Sequence, residues 1–347
     1  MTLAVRYTSA RTLDTAPAAP SSPGPGEVEL APAYVGICGT DLHIFHGDMD
    51  ARVQAPAVLG HEMSGRVVRV GPGVEGWQPG DAVTVMPLRW DDTCPACRAG
   101  HQHICQHLDF IGIDSPGAMQ QRWTVPASTL IRLPASLPLD RAALVEPTAV
   151  AVHDVGRAEV AEDEKVVVVG GGPVGILIAL VARAAGADVR VVEPSAHRRL
   201  LALELGLTAW HPADDDVPTL VQQWTGDAGA DVAFEVSGAA AGVDTAVDVL
   251  GVRGRLCLVA IHPRPREVNL HRFFWRELTL VGARLYDRGD FERAVALVAD
   301  GTIPAERLIS KVVALTQAPA AFEALEGGGD VMKILVDCTG DARGVAV

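Results

Sequence analysis

Between residues 27 and about 125, short valine-rich runs alternate with tight turns such as Gly71-Pro72-Gly73 and Gln78-Pro79-Gly80-Asp81. Apolar runs of this length, punctuated by glycine and proline, predict short strands joined by turns, hence a β-rich first domain. From Lys165 the pattern changes. The run Lys165-Val166-Val167-Val168-Val169-Gly170 has no polar alternation, as expected of a strand buried on both faces; residues 173–187 read as an apolar helix and residues 188–195 as a second strand. Together they make a βαβ unit. Further strands are predicted at residues 231–236, 255–260 and 278–281 with helical stretches between, the rhythm of an α/β doubly wound parallel sheet. The last part reads as a helix over 291–300 and a strand over 334–338 that is expected to rejoin the first domain. The Pro/Ala/Ser-rich residues 16–25 are expected to be a surface connection.

A chain of 347 residues exceeds the size at which a single core usually stops growing, so two domains are expected, and an apolar fraction of 48% supplies their cores. The net charge of −14, with no basic run, argues against nucleic acid or an anionic membrane as partner, because either needs a positive face. A small-molecule substrate is expected instead. Residues 1–10 show no basic segment leading into an apolar one, and the uncharged run 166–182 is short for a bilayer span and carries four glycines and a proline. The expectation is a cytoplasmic protein without a membrane anchor. Six cysteines in a chain of this length give no disulfide framework, and the clustered ones point to metal.

After the strand at 166–169 comes Gly170-Gly171-Gly172-Pro173-Val174-Gly175, which fits G-x-G-x-x-G through Gly170, Gly172 and Gly175. The first glycine allows a tight turn, the second lets backbone approach a pyrophosphate, and the third permits close packing of helix on strand while the helix N-terminus faces the anion. A glycine-rich turn alone is a weak signal. Here the strand before it, the helix after it and Glu193 at the end of the next strand all stand where a dinucleotide fingerprint needs them. A carboxylate at that place accepts hydrogen bonds from the adenosine ribose of NAD and repels the 2′-phosphate of NADP, so NAD is the expected coenzyme. Arg198 is read either as a group stacking on adenine or as a solvated helix charge, and together with Arg199 it leaves NADP open.

Three separated pieces of the first domain carry side chains of metal-ligand type: Cys38, the pair His61-Glu62, and Glu146. A second group, Cys94 and Cys97 in a C-x2-C pair with Cys105 a short loop later, supplies three thiolates where a structural zinc takes four ligands.

With the dinucleotide loop, these motifs resemble the zinc-dependent medium-chain dehydrogenase/reductase superfamily. The matching stretches are residues 36–43 (GICGTDLH), 60–62 (GHE), 71–83 (GPGVEGWQPGDAV), the cysteine lobe, 145–153 (VEPTAVAVH), 166–176 (VVVVGGGPVGI) and 285–298 (LYDRGDFERAVALV), in the family's order over nearly the whole chain. The resemblance implies a GroES-like β-rich catalytic domain over residues 1–148, a Rossmann NAD-binding domain over 149–286, a C-terminal segment 287–347 that returns to the catalytic domain, and an active site in the cleft between the domains. It implies Cys38 and His61 as ligands of a catalytic zinc, Glu62 as a ligand or one that exchanges with water, and Glu146 as binding the metal or its water. It implies Thr40 and His43 as a proton relay, and no role for His46. It implies coenzyme contacts at Gly170, Gly172, Pro173, Val174, Gly175, Glu193, Arg198, Val259, Ala260, Ile261, Leu285 and Tyr286. The family's lobe reads C-x2-C-x2-C-x7-C; Cys94, Cys97 and Cys105 fit its last three positions, and the first falls on Asp91, a carboxylate that zinc accepts. His101 or His103 as fourth donor, or an empty lobe, stay open alternatives.

The chemistry accounts for these residue types. A divalent cation makes an alcohol held on it more acidic, and a bound nicotinamide accepts the hydride from the carbinol carbon. The reaction expected is reversible oxidation of a secondary alcohol in a diol, polyol or cyclitol to the ketone. Residues 146–150 lack the Asp-Pro-Phe-Gly-Asn run that goes with the threonine 3-dehydrogenase branch, which leaves that reading, and an NADP-linked sugar dehydrogenase, as alternatives. A non-catalytic nucleotide-binding relative would have lost some of Cys38, His61, Glu62 or Glu146, and all four are present. Gln121 and Arg122 depart from the family pattern and are read as rim residues or as shaping the pocket for a more polar substrate. Homodimer and homotetramer are the family's expectation.

Overall fold

The structure, a computed structural model, describes residues 2–19, 21–262, 264–326 and 330–340. It divides into two compact units, Met1–Glu146 with Asp287–Val347, and Pro147–Tyr286.

The first unit opens with β1 (Thr2–Ser9) and β2 (Thr12–Ala18), an antiparallel pair, followed by β3 (Glu27–Gly36) and helix α1 (Gly39–His46). Then come β4 (Ala57–Val58), β5 (Glu62–Val70), β6 (Ala82–Val85), β7 (Leu88–Arg89), α2 (Pro95–Arg98), β8 (Asp109–Phe110), β9 (Trp123–Pro126), β10 (Leu130–Arg132) and α3 (Leu139–Ala142), and then α4 (Val145–Arg157), whose first two residues close this stretch of the first unit and whose remainder belongs to the second. The expected surface connection at 16–25 begins too early: Ala16–Ala18 complete β2, with Ala16 opposite Ala4 and Pro17 opposite Leu3. Pro17 is tolerated because β2 is an edge strand, where a missing N–H breaks no ladder on its outer side.

The second unit holds β11 (Lys165–Val169), α5 (Pro173–Ala184), β12 (Asp188–Val192), α6 (Ala196–Glu204), β13 (Thr208–Trp210), α7 (Val217–Thr225), β14 (Ala230–Glu235), α8 (Ala240–Asp248), β15 (Leu250–Leu258), α9 (Leu270–Arg276) and β16 (Thr279–Gly282). Its six strands are all parallel in the order β13-β12-β11-β14-β15-β16. Four of the five residues of β11 are buried, as required of a strand covered by helices on both faces. Val167, Val169, Val192, Ala233 and Leu256 from the sheet meet Val221, Ala246 and Val247 from α7 and α8 in one cluster. β15 starts five residues before the strand expected at 255, because Gly251, Arg253 and Gly254 interrupt its apolar run. The order reverses between β11, whose other neighbour is β12, and β14, so the crevice beyond the carboxyl ends of these two strands is where ligands bind in such sheets.

The chain then adds α10 (Arg288–Ala299), α11 (Ala305–Leu308), β17 (Ile309–Ala314), α12 (Ala318–Glu326) and β18 (Lys333–Asp337) to the first unit. Asp287 caps α10 by accepting from the Asp290 N–H at 3.1 Å, which starts that helix three residues ahead of the expected 291. The principal sheet of this unit runs β10-β6-β5-β3-β18-β17, with β9 also paired to β3. β3 is its hub: β5 pairs along its length, β9 with its first half and β18 with its last residues. The register brings Glu62 of β5 opposite Gly36 of β3, and Leu335 of β18 opposite Gly36 on the other side. Three segments far apart in sequence therefore meet at one end of the sheet. Among the described residues no helix is long and apolar enough to cross a membrane.

Candidate active site

β3 ends just before Cys38, which is the N-cap of α1 in extended conformation (ψ 158°) and half-buried. His61 immediately precedes β5 and Glu62 begins it, so the register of the sheet carries all three to one place. One ligand atom from each of Cys38, His61 and Glu62 lies within 4.8 Å of the others. His61 and Glu62 are 3% and 1% exposed, which is costly for such groups unless something compensates them.

Two buried partners that sequence reading missed do so. Asp41, wholly buried in α1, accepts from the Cys38 N–H at 2.9 Å and points its other oxygen at His61 Nδ1, 3.7 Å away. Among the described residues, neither that Asp41 oxygen nor His61 Nδ1 has a hydrogen-bond partner. Orphaned buried polar atoms of this kind fit a histidine whose other nitrogen binds metal, with a carboxylate behind it to orient the ring. Burial pushes the Asp41 carboxyl up, while for His61 the charges of Asp41, Cys38 and Glu146 outweigh burial and raise the imidazole above its ordinary value. Lys333, 4% exposed at the start of β18, donates to both oxygens of Glu62 at 2.8 and 2.7 Å and to the Ile37 carbonyl at 3.1 Å. Burial works against its charge, but Glu62 and Cys38 more than offset it.

Glu146, in the first turn of α4, is buried, and its charge acts on both His61 and Lys333, although it is not among the three groups within 4.8 Å. Thr40 and His43 stand one turn apart on α1, the spacing at which side chains share a helix face. His43 Nδ1 is 3.3 Å from Asp48 Oδ2, and its side chain is 43% exposed. His46 is exposed. Gln121 and Arg122 lie elsewhere: they line a cavity of ≈ 360 Å³ with Thr2, Arg66 and Cys338, and Gln121 accepts from the Leu3 N–H at 3.0 Å.

The cysteine lobe gathers Asp91, Cys94, Cys97 and Cys105 within 4.8 Å. Cys94 and Cys105 sulfurs are 3.8 Å apart, about the edge of a tetrahedron whose centre is a zinc ion bonded at ~2.3 Å. Backbone N–H groups of Cys97 and Gln106 point at the Cys94 sulfur at 3.4 and 3.5 Å, and that of His107 at Cys105 at 3.3 Å. The Gln106 and Cys97 N–H groups lower the Cys94 thiol to about 7, whereas burial lifts Cys97 to about 12. Asp91 is fixed by the N–H groups of Thr93 and Cys94 at 2.8 and 2.9 Å and by His107 Nδ1 at 2.5 Å, and these bonds, His107 first, pull its carboxyl well below the usual range. His101 and His103 stand outside this group, their rings edge to face with centroids 6.3 Å apart. The residues present fit a structural zinc with one oxygen and three sulfur ligands.

In the second unit, the glycine loop joins β11 to α5, with Gly172 as N-cap and Pro173 at the first helical position. A Cβ on Gly175 would fall 1.8 Å from the Gly170 carbonyl oxygen, so only glycine lets α5 lie so close to the loop. Gly170 has φ +110°, open to glycine alone without strain. Glu193, 4% exposed, follows β12 and accepts from the Gly171 N–H and the Ser195 N–H, both at 2.7 Å. Arg198 comes to 4.0 Å of it, and Arg199 donates from one guanidinium nitrogen to the carbonyls of Glu193 and Pro194 at 2.9 and 2.6 Å. Val259 and Ala260 donate their N–H groups to the Glu235 carbonyl at 3.0 and 3.1 Å, and Ile261 is 68% exposed. Leu285 has φ +62°, and Tyr286 is wholly buried, side chain and backbone alike.

Comparison with known proteins accords with this arrangement. Residues 24–135 match the alcohol dehydrogenase GroES-like domain and residues 173–300 the zinc-binding dehydrogenase domain. A 2-dehydro-3-deoxy-L-galactonate 5-dehydrogenase of Pseudoalteromonas atlantica is 49% identical over 320 residues, 92% of this chain and 94% of that protein. The crystal structure of 2R,3R-butanediol dehydrogenase from Bacillus subtilis superposes with a TM-score of 0.90 at 30% identity, covering 97% of this chain and 99% of that one. A zinc-binding dehydrogenase of Sinorhizobium meliloti, solved with NADP bound, gives the same TM-score of 0.90, 30% identity and the same coverage of 97% and 99%. The chain belongs to the zinc-dependent medium-chain dehydrogenase/reductase superfamily and is a dehydrogenase acting on CH–OH groups.

Proposed function

We propose that this enzyme oxidises a secondary hydroxyl of a polyhydroxylated substrate, a polyol, diol, cyclitol or sugar acid, with NAD as coenzyme. The observation that carries the reading is the convergence of Cys38, His61 and Glu62 within 4.8 Å, backed by two otherwise unpartnered buried atoms on Asp41 and His61. Zinc held there would supply Lewis acidity at the substrate hydroxyl, and the nicotinamide would supply the hydride acceptor. The chain's own part is positional and protonic. Asp41 orients His61, and Lys333 holds Glu62 in place and neutralises it. Asp48 engages His43 at Nδ1, which leaves Nε2 to accept a proton from the Thr40 hydroxyl as that hydroxyl takes one from the substrate hydroxyl, and the half-exposed ring then passes a proton to solvent.

Glu193 favours NAD: its carboxylate is held at the glycine loop by two N–H groups, where a 2′-phosphate would meet repulsion. The name of the Pseudoalteromonas relative sets that protein's reaction at carbon 5 of a sugar acid, so sugar acids join polyols at the head of the substrate panel. Asp91, Cys94, Cys97 and Cys105 would hold a second, structural zinc. A homo-oligomer is supported by the open edge of β16 and the nearby exposed Leu270, Phe274, Trp275 and Leu280. Six cysteines without a disulfide suit the cytoplasm.

The test is NADH formation across sugar acids, alditols, diols, cyclitols and threonine, with Cys38→Ser and His61→Ala as controls. Both variants should lose turnover and keep NADH binding; full activity in either, or threonine as the best substrate, would overturn the reading.

A further inference from the structure

Glu235 is the last residue of β14, the strand on one side of the crevice where the sheet order reverses, and its side chain is wholly buried. A charged group in that position must be fully bonded. One carboxylate oxygen accepts from the Ser237 N–H at 2.9 Å, the Ser237 hydroxyl at 2.5 Å and the Gly238 N–H at 3.0 Å, which folds residues 235–238 into a fixed turn. That turn packs on the dinucleotide loop: a Cβ on Gly170 would meet the Ser237 nitrogen at 2.9 Å. The other oxygen is 2.8 Å from His262 Nε2, on the turn that follows β15. The Glu235 carbonyl also takes the N–H groups of Val259 and Ala260, so Glu235 binds the start of that turn through backbone and its far end through His262.

The imidazole has only one tautomer that satisfies its surroundings. Arg266 Nε lies 3.3 Å from His262 Nδ1, and a guanidinium can only donate. Nδ1 must therefore accept, the ring proton sits on Nε2, and it is donated to Glu235. Arg266 also reaches the Gly238 carbonyl at 3.4 Å, closing a loop of bonds around both turns.

We infer that His262 and Glu235 are a positioning pair for the coenzyme: they lock together the turns after β14 and β15 and so prepare the nicotinamide side of the crevice before the nucleotide arrives. Neither side chain need touch the coenzyme. Without the His262 bond, the 259–262 turn must be ordered at the moment of binding, and the affinity falls by that amount. The inference rests on the coenzyme reading above.

The test is fluorescence titration of the full-length protein with NADH and, separately, NADPH. His262→Ala should weaken binding of the preferred nucleotide about tenfold, the equivalent of about 1.4 kcal/mol. His262→Gln, which keeps an N–H for Glu235 and an oxygen for Arg266, should recover most of it. Turnover at saturating coenzyme should change less than twofold in both, so that KM for the coenzyme moves and kcat does not. Unchanged affinity in His262→Ala would overturn the inference, as would a His262→Gln protein that binds no better than the alanine variant and has lost thermal stability equally. Wild-type protein that binds NADPH in preference refutes only the coenzyme choice, and the variants are then compared with NADPH; wild-type protein that binds neither nucleotide overturns both.

Discussion

The buried pair Lys333–Glu62 sets a magnitude for what holds together the end of the sheet where Cys38, His61 and Glu62 converge. Both side chains are under 5% exposed, and the ammonium spends its three donors on two carboxylate oxygens and the Ile37 carbonyl. Lys333→Met keeps the length and apolar stem of the side chain and removes the charge, leaving Glu62 as an uncompensated buried carboxylate. Breaking a buried pair from one side costs about 3–5 kcal/mol, most of it the desolvation of the group left behind. The orphaned Ile37 carbonyl adds about 1 kcal/mol. Removing both charges in Lys333→Met/Glu62→Gln should recover most of the loss, because a buried pair replaced as a unit is near neutral. The measurement is guanidinium chloride unfolding of wild type, both single variants and the double variant after metal removal with a chelator. The expected interaction energy exceeds about 2 kcal/mol. A single variant costing under about 1 kcal/mol, or a double variant whose loss is the sum of the singles, would show that Glu62 is neutralised by something other than Lys333.

Replacing Glu193 by Ser removes the carboxylate that a 2′-phosphate would face and should move the ratio of NAD to NADP use toward NADP; an unchanged ratio of kcat/KM values counts against its ribose role. Metal analysis of the wild type should give about two zinc ions per chain, and Asp91→Ala about one with turnover reduced less than the metal content; two ions retained in the variant would remove Asp91 from the ligand set. Tyr7, buried and donating to Asp50, has its phenol pushed up to about 12 by burial first and by Asp50 second. Since the folded value lies above the unfolded one of about 10, this group's contribution is complete below pH 10 and is lost as pH rises toward 12. Thermal midpoints of wild type and Tyr7→Phe should therefore converge across that window, and curves that stay parallel would refute the assignment.

The fold was legible wherever burial imposes a period on the sequence. The run Val166–Val169 read as a buried strand because helices cover both faces of a parallel sheet and leave no polar position in it. Where pairing rather than pattern makes the strand, the signal fails. Ala16–Ala18 looked like a connection because proline and alanine are poor strand formers, yet β1 and its register hold them in β2. The start of β15 was hidden by two glycines and an arginine, and β13, three residues long, is too short to show any period.

The site divides in the same way. Cys38, His61, Glu62, Asp91 and the three lobe cysteines were legible because ligand chemistry admits few residue types and the local spacing is fixed. The residues that compensate those buried groups were not. Asp41 is three residues from Cys38 and could have been found from the helix N-terminus alone, since a carboxylate there caps the backbone; its second duty toward His61 depends on how β5 enters the sheet. Lys333 is 271 positions from Glu62 and carries no signal of its own, because a lysine at the start of a strand is normally a solvent-facing residue. His107 behind Asp91 and His262 behind Glu235 are of the same kind: a histidine whose partner is set by the fold and not by neighbours in sequence. In each case the charge is tolerated only because the tertiary structure delivers its counterpart, so residue types suited to a metal can be picked out one chain segment at a time, while the environment around them exists only once the sheet has closed.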